Sequence, residues 1–354
     1  MAGKCRSSMP QRNVHLVGSV PLPDAAAVFE TVGAALGDRL KRIPDGETGA
    51  RLDWITWLEP VFSENPLFEP AETFRLHETA PQRQRYRLKP GISVKDVRLS
   101  NLFYADIARE SYATFKRLRD AGKIAPGVKF QVDLVPAHSV LWLYVTERQQ
   151  TEFDPIYNEA VMREIDKLAE SIPHEDLAIQ FDVASAVFAR LERNQANPYG
   201  GTKEETQRHF TAIIAKLANR VPRDIDMLFH FCYGDSNHRH VVEPTDMGDM
   251  VDMANRLTRA IARPIQLIHM PVPRNRFDDA FFAPLTRLAL RPETELCLGL
   301  VHYTDGLEGT RRRMAEAGKY VKNFAIATEC GLGRRPSETI PELLRIHAAA
   351  AAIG

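Results

Sequence analysis

The chain has 354 residues, of which 44% are hydrophobic and 26% are charged, a composition typical of a soluble globular protein with a large core. Lysine plus arginine and aspartate plus glutamate balance at 46 each, so charge indicates no nucleic-acid partner, and we expect a small molecule instead. Four cysteines are too few for a secreted disulfide framework, and no stretch reaches the roughly 18 apolar residues of a membrane span, so we expect a cytoplasmic protein.

Eight short apolar runs alternate with segments of helical period, which is the pattern of a parallel sheet built from βα units. The predicted strands are, in chain order, residues 14–20, 39–44, 128–134, 177–183, 226–232, 264–270, 295–301 and 323–328. The predicted helices are residues 24–36 (N-cap Asp24), 102–121, 158–171, 203–219, 246–261, 277–289, 306–317 and 340–352. This alternation predicts a single (β/α)8 TIM barrel, with a doubly wound open sheet as the alternative.

The domain organisation follows from the connections between these segments. Residues 51–127 are too long for one βα connection, so we expect an excursion after the second strand that carries its own structure and covers the barrel as a lid or extension. No Gly/Ser linker and no repeat of solenoid length divides the chain. We therefore predict a flexible tail at residues 1–13 and one barrel domain at residues 14–354.

Polar residues follow the apolar runs directly, at the carboxyl ends of strands where barrels place functional groups. In chain order they are Gly18 and Ser19, Asp45 and Glu47, Asp133 and His138, Asp182, His230 and Cys232, His269, His302 and Asp305, and Cys330. His230 and Cys232 are two residues apart, so both face the same side of a strand, as a zinc-ligand pair would. Cys330 and His269 are candidates for the remaining ligands, with His238 and His240 as alternatives to His269. Cys297 lies in the middle of a strand and is expected to serve packing.

Two further features indicate ligand binding near these strand ends. Gly331-Leu-Gly-Arg-Arg335 has the composition of an anion-binding loop, because glycines admit backbone N–H groups and Arg334 and Arg335 can bind a carboxylate or phosphate. It lacks the spacing of a P-loop or a dinucleotide fingerprint. Asp182 ends an apolar strand and Glu47 lies in a turn, and together they are candidates to bind an ammonium group.

These motifs together resemble the catalytic barrel of the cobalamin-independent methionine synthase family. The resemblance rests on Val17-Gly-Ser-Val-Pro21, Asp45-Gly-Glu-Thr48, Ile179-Gln-Phe-Asp182, Phe229-His-Phe-Cys-Tyr233, and Glu329-Cys-Gly-Leu332 followed by Arg335. It implies a (β/α)8 barrel that uses Zn2+ to transfer a methyl or other alkyl group to a small thiol, with a zinc-bound thiolate as nucleophile. The expected partners are therefore a small-molecule thiol and an alkyl donor such as methylfolate.

The resemblance also implies roles for individual residues. His230, Cys232 and Cys330 correspond to zinc ligands, and Gly18, Ser19, Glu47 and Asp182 correspond to contacts with the amino-acid part of a thiol substrate. A poor leaving group on the alkyl donor requires a general acid, for which His302 and Asp305 are the candidates.

The sequence departs from the family's pattern at three places. His269 stands where the family has a glutamate zinc ligand, Asp182-Val-Ala-Ser185 replaces Asp-Glu-Pro-Ala, and the segment around His302 has shifted spacing. Alternative functions therefore stay open. They are a zinc-dependent epoxide–thiol transferase or C–S lyase, in which Arg334 and Arg335 hold an anionic tail, a metal-free barrel resembling uroporphyrinogen decarboxylase, and a binding protein.

Overall fold

A computed structural model describes residues 11–99, 101–236 and 239–353 of the chain. Most of the predicted N-terminal tail and the alternative ligand His238 lie outside these residues. The last part of the predicted tail is held in place, because Arg12 donates its backbone N–H to the carbonyl of Ala351 and packs its guanidinium over the ring of Phe324. No helix in the described ranges has both the length and the apolar character needed to cross a membrane.

A curled sheet of seven parallel strands forms the centre of the fold. Its strands are β1 (Arg42–Pro44), β4 (Lys129–Leu134), β5 (Leu177–Val183), β6 (Asp226–Phe231), β7 (Leu267–Pro271), β8 (Glu295–Val301) and β9 (Ala325–Thr328). They pair in that order, each parallel to the next. Each of these strands overlaps one of the predicted runs, and all but one of the predicted strands are therefore present.

The predicted first strand, residues 14–20, is not a strand of the described sheet. Val14 alone makes isolated parallel bridges, one to Leu40 next to β1 and one to Ile326 in β9, so the two edges of the sheet approach each other there. Beyond Val14 the carbonyls of Leu16 and Val17 accept hydrogen bonds from the side chains of Gln131 and Gln180. Since side-chain amides take the place of a ladder partner, this segment leaves the sheet, and the described part of the chain forms a barrel-like sheet of seven strands where eight were predicted.

Helices connect the strands and cover the outside of the sheet. They are α1 (Ala25–Leu36), α2 (Pro60–Ser63), α3 (Tyr104–Asp120), α4 (Ala137–Tyr144), α5 (Gln150–Ser171), α6 (Ser185–Arg193), α7 (Lys203–Arg220), α8 (Gly248–Ala260), α9 (Asp279–Phe282), α10 (Gly306–Ala317) and α11 (Ile340–Ala351). Asp24 caps α1 as predicted, accepting from Ala27 N at 2.9 Å. The predicted helix 277–289 is instead the short α9 followed by a 3₁₀ helix, Ala283–Arg287, because Pro284 has no N–H to continue an α-helix.

Apolar side chains fill the space on both faces of the curled sheet. One large cluster extends along the chain from Val14 to Ala351 and lies mainly between strands and helices. A smaller cluster of small side chains lies on the strands and includes Ala178, Leu228 and Cys297. Cys297 is fully buried there, which confirms its predicted packing role.

The long excursion after β1 contains an antiparallel hairpin, β2 (Phe68–Phe74) paired with β3 (Arg83–Leu88). The hairpin packs on α4 through Arg85, which donates to the carbonyl of Trp142. It also reaches the loop after β6, where the His77 Nε2 and Ser236 O atoms are 3.0 Å apart. The excursion therefore covers the carboxyl ends of the strands, where the predicted functional residues lie.

Candidate metal centre

Three potential metal ligands meet at the carboxyl end of the sheet. His230 lies in β6, Cys232 follows that strand directly, and Cys330 follows β9. Two strands separate β6 from β9, so the sulfur atoms of Cys232 and Cys330 approach to 3.6 Å only because the sheet curls. Cys330 Sγ is 3.9 Å from His230 Nε2, and the three ligand atoms all lie within 4.8 Å of one another.

This spacing fits a zinc ion. In tetrahedral coordination, Zn–S distances of about 2.3 Å place two sulfur ligands about 3.8 Å apart, close to the separation observed between the two thiols. Two thiols and one imidazole are also the donor set that zinc prefers. Three protein ligands leave one tetrahedral position for a substrate atom, which is the pattern of catalytic rather than structural zinc sites.

The thiol of Cys232 is protonated as long as no cation neutralises it. The hydrogen bond with Cys330, burial, and the nearby charge of Cys330 raise the pKa of Cys232 well above its ordinary value. Gly234 N donates to Cys232 Sγ at 3.3 Å, which favours the thiolate but does not outweigh those effects. A bound divalent cation would reverse this balance by stabilising both thiolates.

A chain of hydrogen bonds determines which nitrogen of His230 faces the cysteines. His269 Nε2 lies 3.0 Å from the carbonyl of Thr328, which can only accept, so this nitrogen carries the proton. Burial lowers the pKa of His269 to about 4, so its ring is neutral and its Nδ1 is an acceptor. His230 Nδ1 is 2.8 Å from that atom and must donate to it, which leaves the lone pair of His230 on Nε2, facing Cys330.

His269 therefore lies behind His230 and is not part of the ligand group. Both of its ring nitrogens are engaged, one with Thr328 and one with His230. It was predicted as a fourth ligand because it ends the strand next to β6, and the register does pair it with His230. Paired side chains on neighbouring strands face the same side, but ring orientation directs the nitrogens of His269 to other partners.

The three ligand candidates open into a cavity of about 80 Å³. Five of the predicted substrate-binding residues line the same cavity: Gly18, Ser19, Glu47, Asp182 and Arg334. The excursion supplies much of the opposite wall through Trp54, Leu76 and Pro81. The cavity wall that contains the thiols is thus polar, and the wall that the excursion forms is largely apolar.

The carboxyl groups of Glu47, Asp133 and Asp182 lie close enough to act on one another electrostatically, and those of Glu47 and Asp182 line the metal cavity. A Cβ atom on Gly18 would lie 2.6 Å from Asp133 Oδ2 and 3.2 Å from Glu47 Oε2, so both carboxyls approach this glycine. Burial and the charge of Asp182 raise the pKa of Glu47 and of Asp133 well above their ordinary values. Burial raises the pKa of Asp182 to about 7, although hydrogen bonds from Gln180 and Trp54 act in the opposite direction. A positively charged ligand group would stabilise the ionised forms of all three.

Asp133 was noted at a strand end but was not assigned a function from the sequence. A sequence pattern could have identified Asp133 as a site residue. Gln131-Val-Asp133 has the same Gln-x-Asp spacing as Gln180-Phe-Asp182 on the neighbouring strand. In both strands the glutamine amide donates to the aspartate two residues later, at 2.9 Å and 3.0 Å. The repeated spacing thus marks two equivalent carboxylates on one face of the sheet.

The glycine-rich loop after Cys330 is positioned by Ser19. Leu332 N donates to Ser19 O at 2.7 Å, and Gly333 N donates to Ser19 Oγ at 3.1 Å. A Cβ atom on Gly331 would lie 2.4 Å from Ser19 Oγ, and one on Gly333 would lie 2.3 Å from the carbonyl of Leu52. The glycines are therefore required for close packing of this loop against Ser19 and Leu52.

The two arginines at the end of this loop face different cavities. Arg334 lines the metal cavity and donates to Asp53 Oδ1 at 3.3 Å. Arg335 lines a second cavity together with His302 and Glu329. The predicted substrate-binding pair is thus divided between two neighbouring spaces.

The two candidate general acids are also separated. His302 Nε2 donates to the carbonyl of Val272 at 2.8 Å, and its Nδ1 is 3.9 Å from Glu329 Oε2. Asp305 forms a bidentate ion pair with the fully buried Arg313, at 2.6 and 2.8 Å. Although burial acts to raise the pKa of Asp305, the hydrogen bonds and charge of Arg313 hold it below its ordinary value. Asp305 is thus an ionised partner of Arg313 and lines neither of the two cavities.

Comparisons with known proteins find similarity to solved structures only. No protein-family model matches the chain, and no curated protein matches it by sequence. A B12-independent methionine synthase from Shewanella sp. W3-18-1, solved in complex with selenomethionine, matches with a TM-score of 0.65 and 12% identity. A protein from Listeria monocytogenes assigned as a vitamin-B12-independent methionine synthase matches with a TM-score of 0.56 and 14% identity. Each alignment covers 97% of this chain and 98% of the other. The chain therefore shares, over almost its whole length, the fold of B12-independent methionine synthase structures.

Proposed function

We propose that this protein binds zinc through His230, Cys232 and Cys330 and transfers a methyl or other alkyl group to the sulfur of a small thiol that carries an amino group. The observation that carries the proposal is the single cavity in which three clustered metal ligands face Glu47 and Asp182. The shared fold with B12-independent methionine synthase structures, one of them bound to selenomethionine, supports a sulfur-containing amino acid or a close analogue as the thiol.

The ligand set fits zinc and leaves one coordination position free for the substrate sulfur. When bound, zinc would lower the pKa of a thiol that ligates it, so that a thiolate nucleophile is available near neutral pH. The chain's part in this chemistry is to hold His230 in one tautomer, with Nε2 free, and to keep the ligand atoms at tetrahedral spacing. Such preorganisation lowers the free-energy cost of forming the site.

The carboxyl groups of Glu47 and Asp182, both of which line the cavity, would bind the ammonium group of the thiol substrate. Asp182 is oriented from two sides, because Gln180 donates to its Oδ1 and the indole Nε1 of Trp54 donates to its Oδ2 at 3.1 Å. Trp54 belongs to the excursion, so the segment that covers the cavity also fixes an ammonium-binding group. Covering the site excludes water and strengthens the charge pairing within it.

For protonation of the leaving group, we propose His302 rather than Asp305. Asp305 is ionised and bound by Arg313, so it has no proton to give at neutral pH. His302 lines the cavity next to the metal centre and faces Glu329, the residue before Cys330. Burial lowers the pKa of His302, although the charge of Glu329 acts in the opposite direction, so the resting imidazole is neutral with its proton on Nε2. To act as the acid, His302 would have to take up a second proton on Nδ1, at the entrance from which an alkyl donor approaches.

Metal analysis tests the proposal directly. Purified protein is expected to contain about one zinc per chain, and both Cys232→Ala and Cys330→Ala are expected to lose it. Cys297→Ala is the control, because Cys297 is a cysteine of the same sheet that packs among apolar side chains and lies outside the ligand group. A native protein free of metal, or a Cys330→Ala variant with full zinc content, would contradict the proposal.

Activity assays then separate the reactions that such a centre could perform. Thiols with and without an amino group are mixed with methylfolate, S-alkyl donors or epoxides, and loss of free thiol is followed with and without zinc. Turnover with methylfolate or an S-alkyl donor supports alkyl transfer, and turnover with epoxides alone identifies an epoxide–thiol transferase. Zinc-independent turnover would refute the assigned role of the metal.

A further inference from the structure

A second cavity, of about 470 Å³, lies beside the metal cavity and is several times larger. Its walls come from the loops after four consecutive strands of the sheet, β6 to β9. Asp235 lines both cavities, and the adjacent residues Glu329 and Cys330 line the second and the first respectively. A molecule bound in the second cavity would therefore lie next to the metal centre.

Most of the charged groups in this cavity are already paired with one another. His240 contacts Glu243 through Nδ1 at 3.0 Å and Glu329 through Nε2 at 2.6 Å. Asp235 acts electrostatically on Arg334, which lines the other cavity. Both glutamates and the imidazole of His240 therefore already have a partner within the cavity.

Two arginines in the same cavity differ from these groups. Among the described residues, neither the guanidinium of Arg274 nor that of Arg335 has a hydrogen bond or an ion pair, whereas the neighbouring Arg334 binds Asp53. Arg274 is exposed at the rim, and Arg335 is half-buried, where its charge acts on Glu329. A guanidinium presents a planar set of donors that matches carboxylate and phosphate groups.

We propose that Arg274 and Arg335 form a binding site for an anionic group, a carboxylate or a phosphate, on the second substrate. The position beside Cys330 places the remainder of such a molecule at the metal centre, and the larger volume admits a molecule bigger than the thiol. The identification of this molecule as the alkyl donor depends on the proposed function, whereas anion binding itself does not.

Calorimetric titration of the full-length protein with inorganic phosphate and, separately, with succinate tests the site. Arg274→Gln and Arg335→Gln are each expected to weaken binding by about tenfold, and the double variant is expected to abolish it. Arg311→Gln is the matched control, because Arg311 is an exposed arginine of α10 outside both cavities. Circular dichroism establishes that each variant is folded.

The outcomes separate the two kinds of anion and the two proposals. Binding of phosphate alone, or of succinate alone, that is lost in the double variant supports the site and identifies the anionic group. Unchanged binding by the double variant, or no binding of either anion up to about 10 mM, overturns the proposal. Titrations are repeated with Cys330→Ala, which should lack zinc and still bind the anion. If the wild-type protein lacks metal but binds the anion, only the proposed function fails.

Discussion

Replacing His269 with leucine tests whether this residue fixes the tautomer of His230. The substitution removes the acceptor of the His230 Nδ1–H group and the donor to the Thr328 carbonyl, both in a buried position. In the metal-free variant, His230 can move its proton to Nε2, the nitrogen that faces the cysteines. Metal binding must then return the proton to Nδ1, where it finds no acceptor in the protein.

The expected loss of zinc affinity follows from this single buried hydrogen bond. Leaving a buried donor unsatisfied costs about 1–3 kcal/mol, which corresponds to about 5- to 150-fold in the dissociation constant. Loss of a group that orients a metal-bound histidine costs about 10- to 100-fold, which agrees with this range. His269→Gln retains an amide that can accept from His230, so it is expected to recover part of the lost affinity.

Zinc affinity is measured by competition with a chromophoric chelator, and the ligand number is checked by the visible spectrum of the cobalt-substituted protein. His347→Leu is the control, since His347 is also fully buried but lies on α11, bonded to the carbonyl of Leu343. Wild-type affinity in His269→Leu would refute the positioning role. A cobalt spectrum that shows one ligand fewer than in the wild type would instead identify His269 as a ligand.

Two further predictions concern Asp182 and Asp305. Because folding raises the pKa of Asp182 to about 7, the folded protein without ligand holds a proton that the unfolded chain releases near pH 4. The contribution of Asp182 to stability is therefore lost as pH rises from about 4 to about 7. In urea denaturation at a series of pH values, Asp182→Asn should reduce the fall of the unfolding free energy over this range. An unchanged slope would contradict the pKa shift. Asp305→Asn should lower the unfolding free energy by about 3 kcal/mol, because it leaves the buried Arg313 unpaired, while turnover per folded molecule stays within about twofold. Loss of turnover in a folded Asp305→Asn protein would restore Asp305 as a candidate acid.

Local patterns predicted most of the sheet and the ligand group. The period of two along β6 places His230 and Cys232 on one face, and the order of the strand ends brings Cys330 to the same opening. These properties depend on strand periodicity and parallel pairing, both of which can be predicted from short segments of sequence. The helix α4 was not predicted, since it is buried along its whole length and has no amphipathic pattern.

Side-chain orientation is the part that the sequence did not reveal. His269 has a chemistry and a position suited to a ligand, and only the directions of its two ring nitrogens show that it contacts His230 and Thr328. Arg334 and Arg335 are adjacent in sequence but line different cavities, because successive residues of a loop point in different directions. Such directions depend on contacts with distant segments, which spacing along the chain does not encode.

The departure of residues 16–20 from the sheet connects the fold to the candidate site. Gln131 and Gln180 donate to the carbonyls of Leu16 and Val17, and the same amides donate to Asp133 and Asp182. In a regular sheet, backbone N–H groups of a neighbouring strand would satisfy those carbonyls, and the glutamines would not bind this segment. Because the segment is held by side chains instead, Gly18 can approach the carboxyls and Ser19 can bind the loop after Cys330. The one predicted strand that the described sheet lacks is thus the segment that joins the carboxylate cluster to the metal ligands.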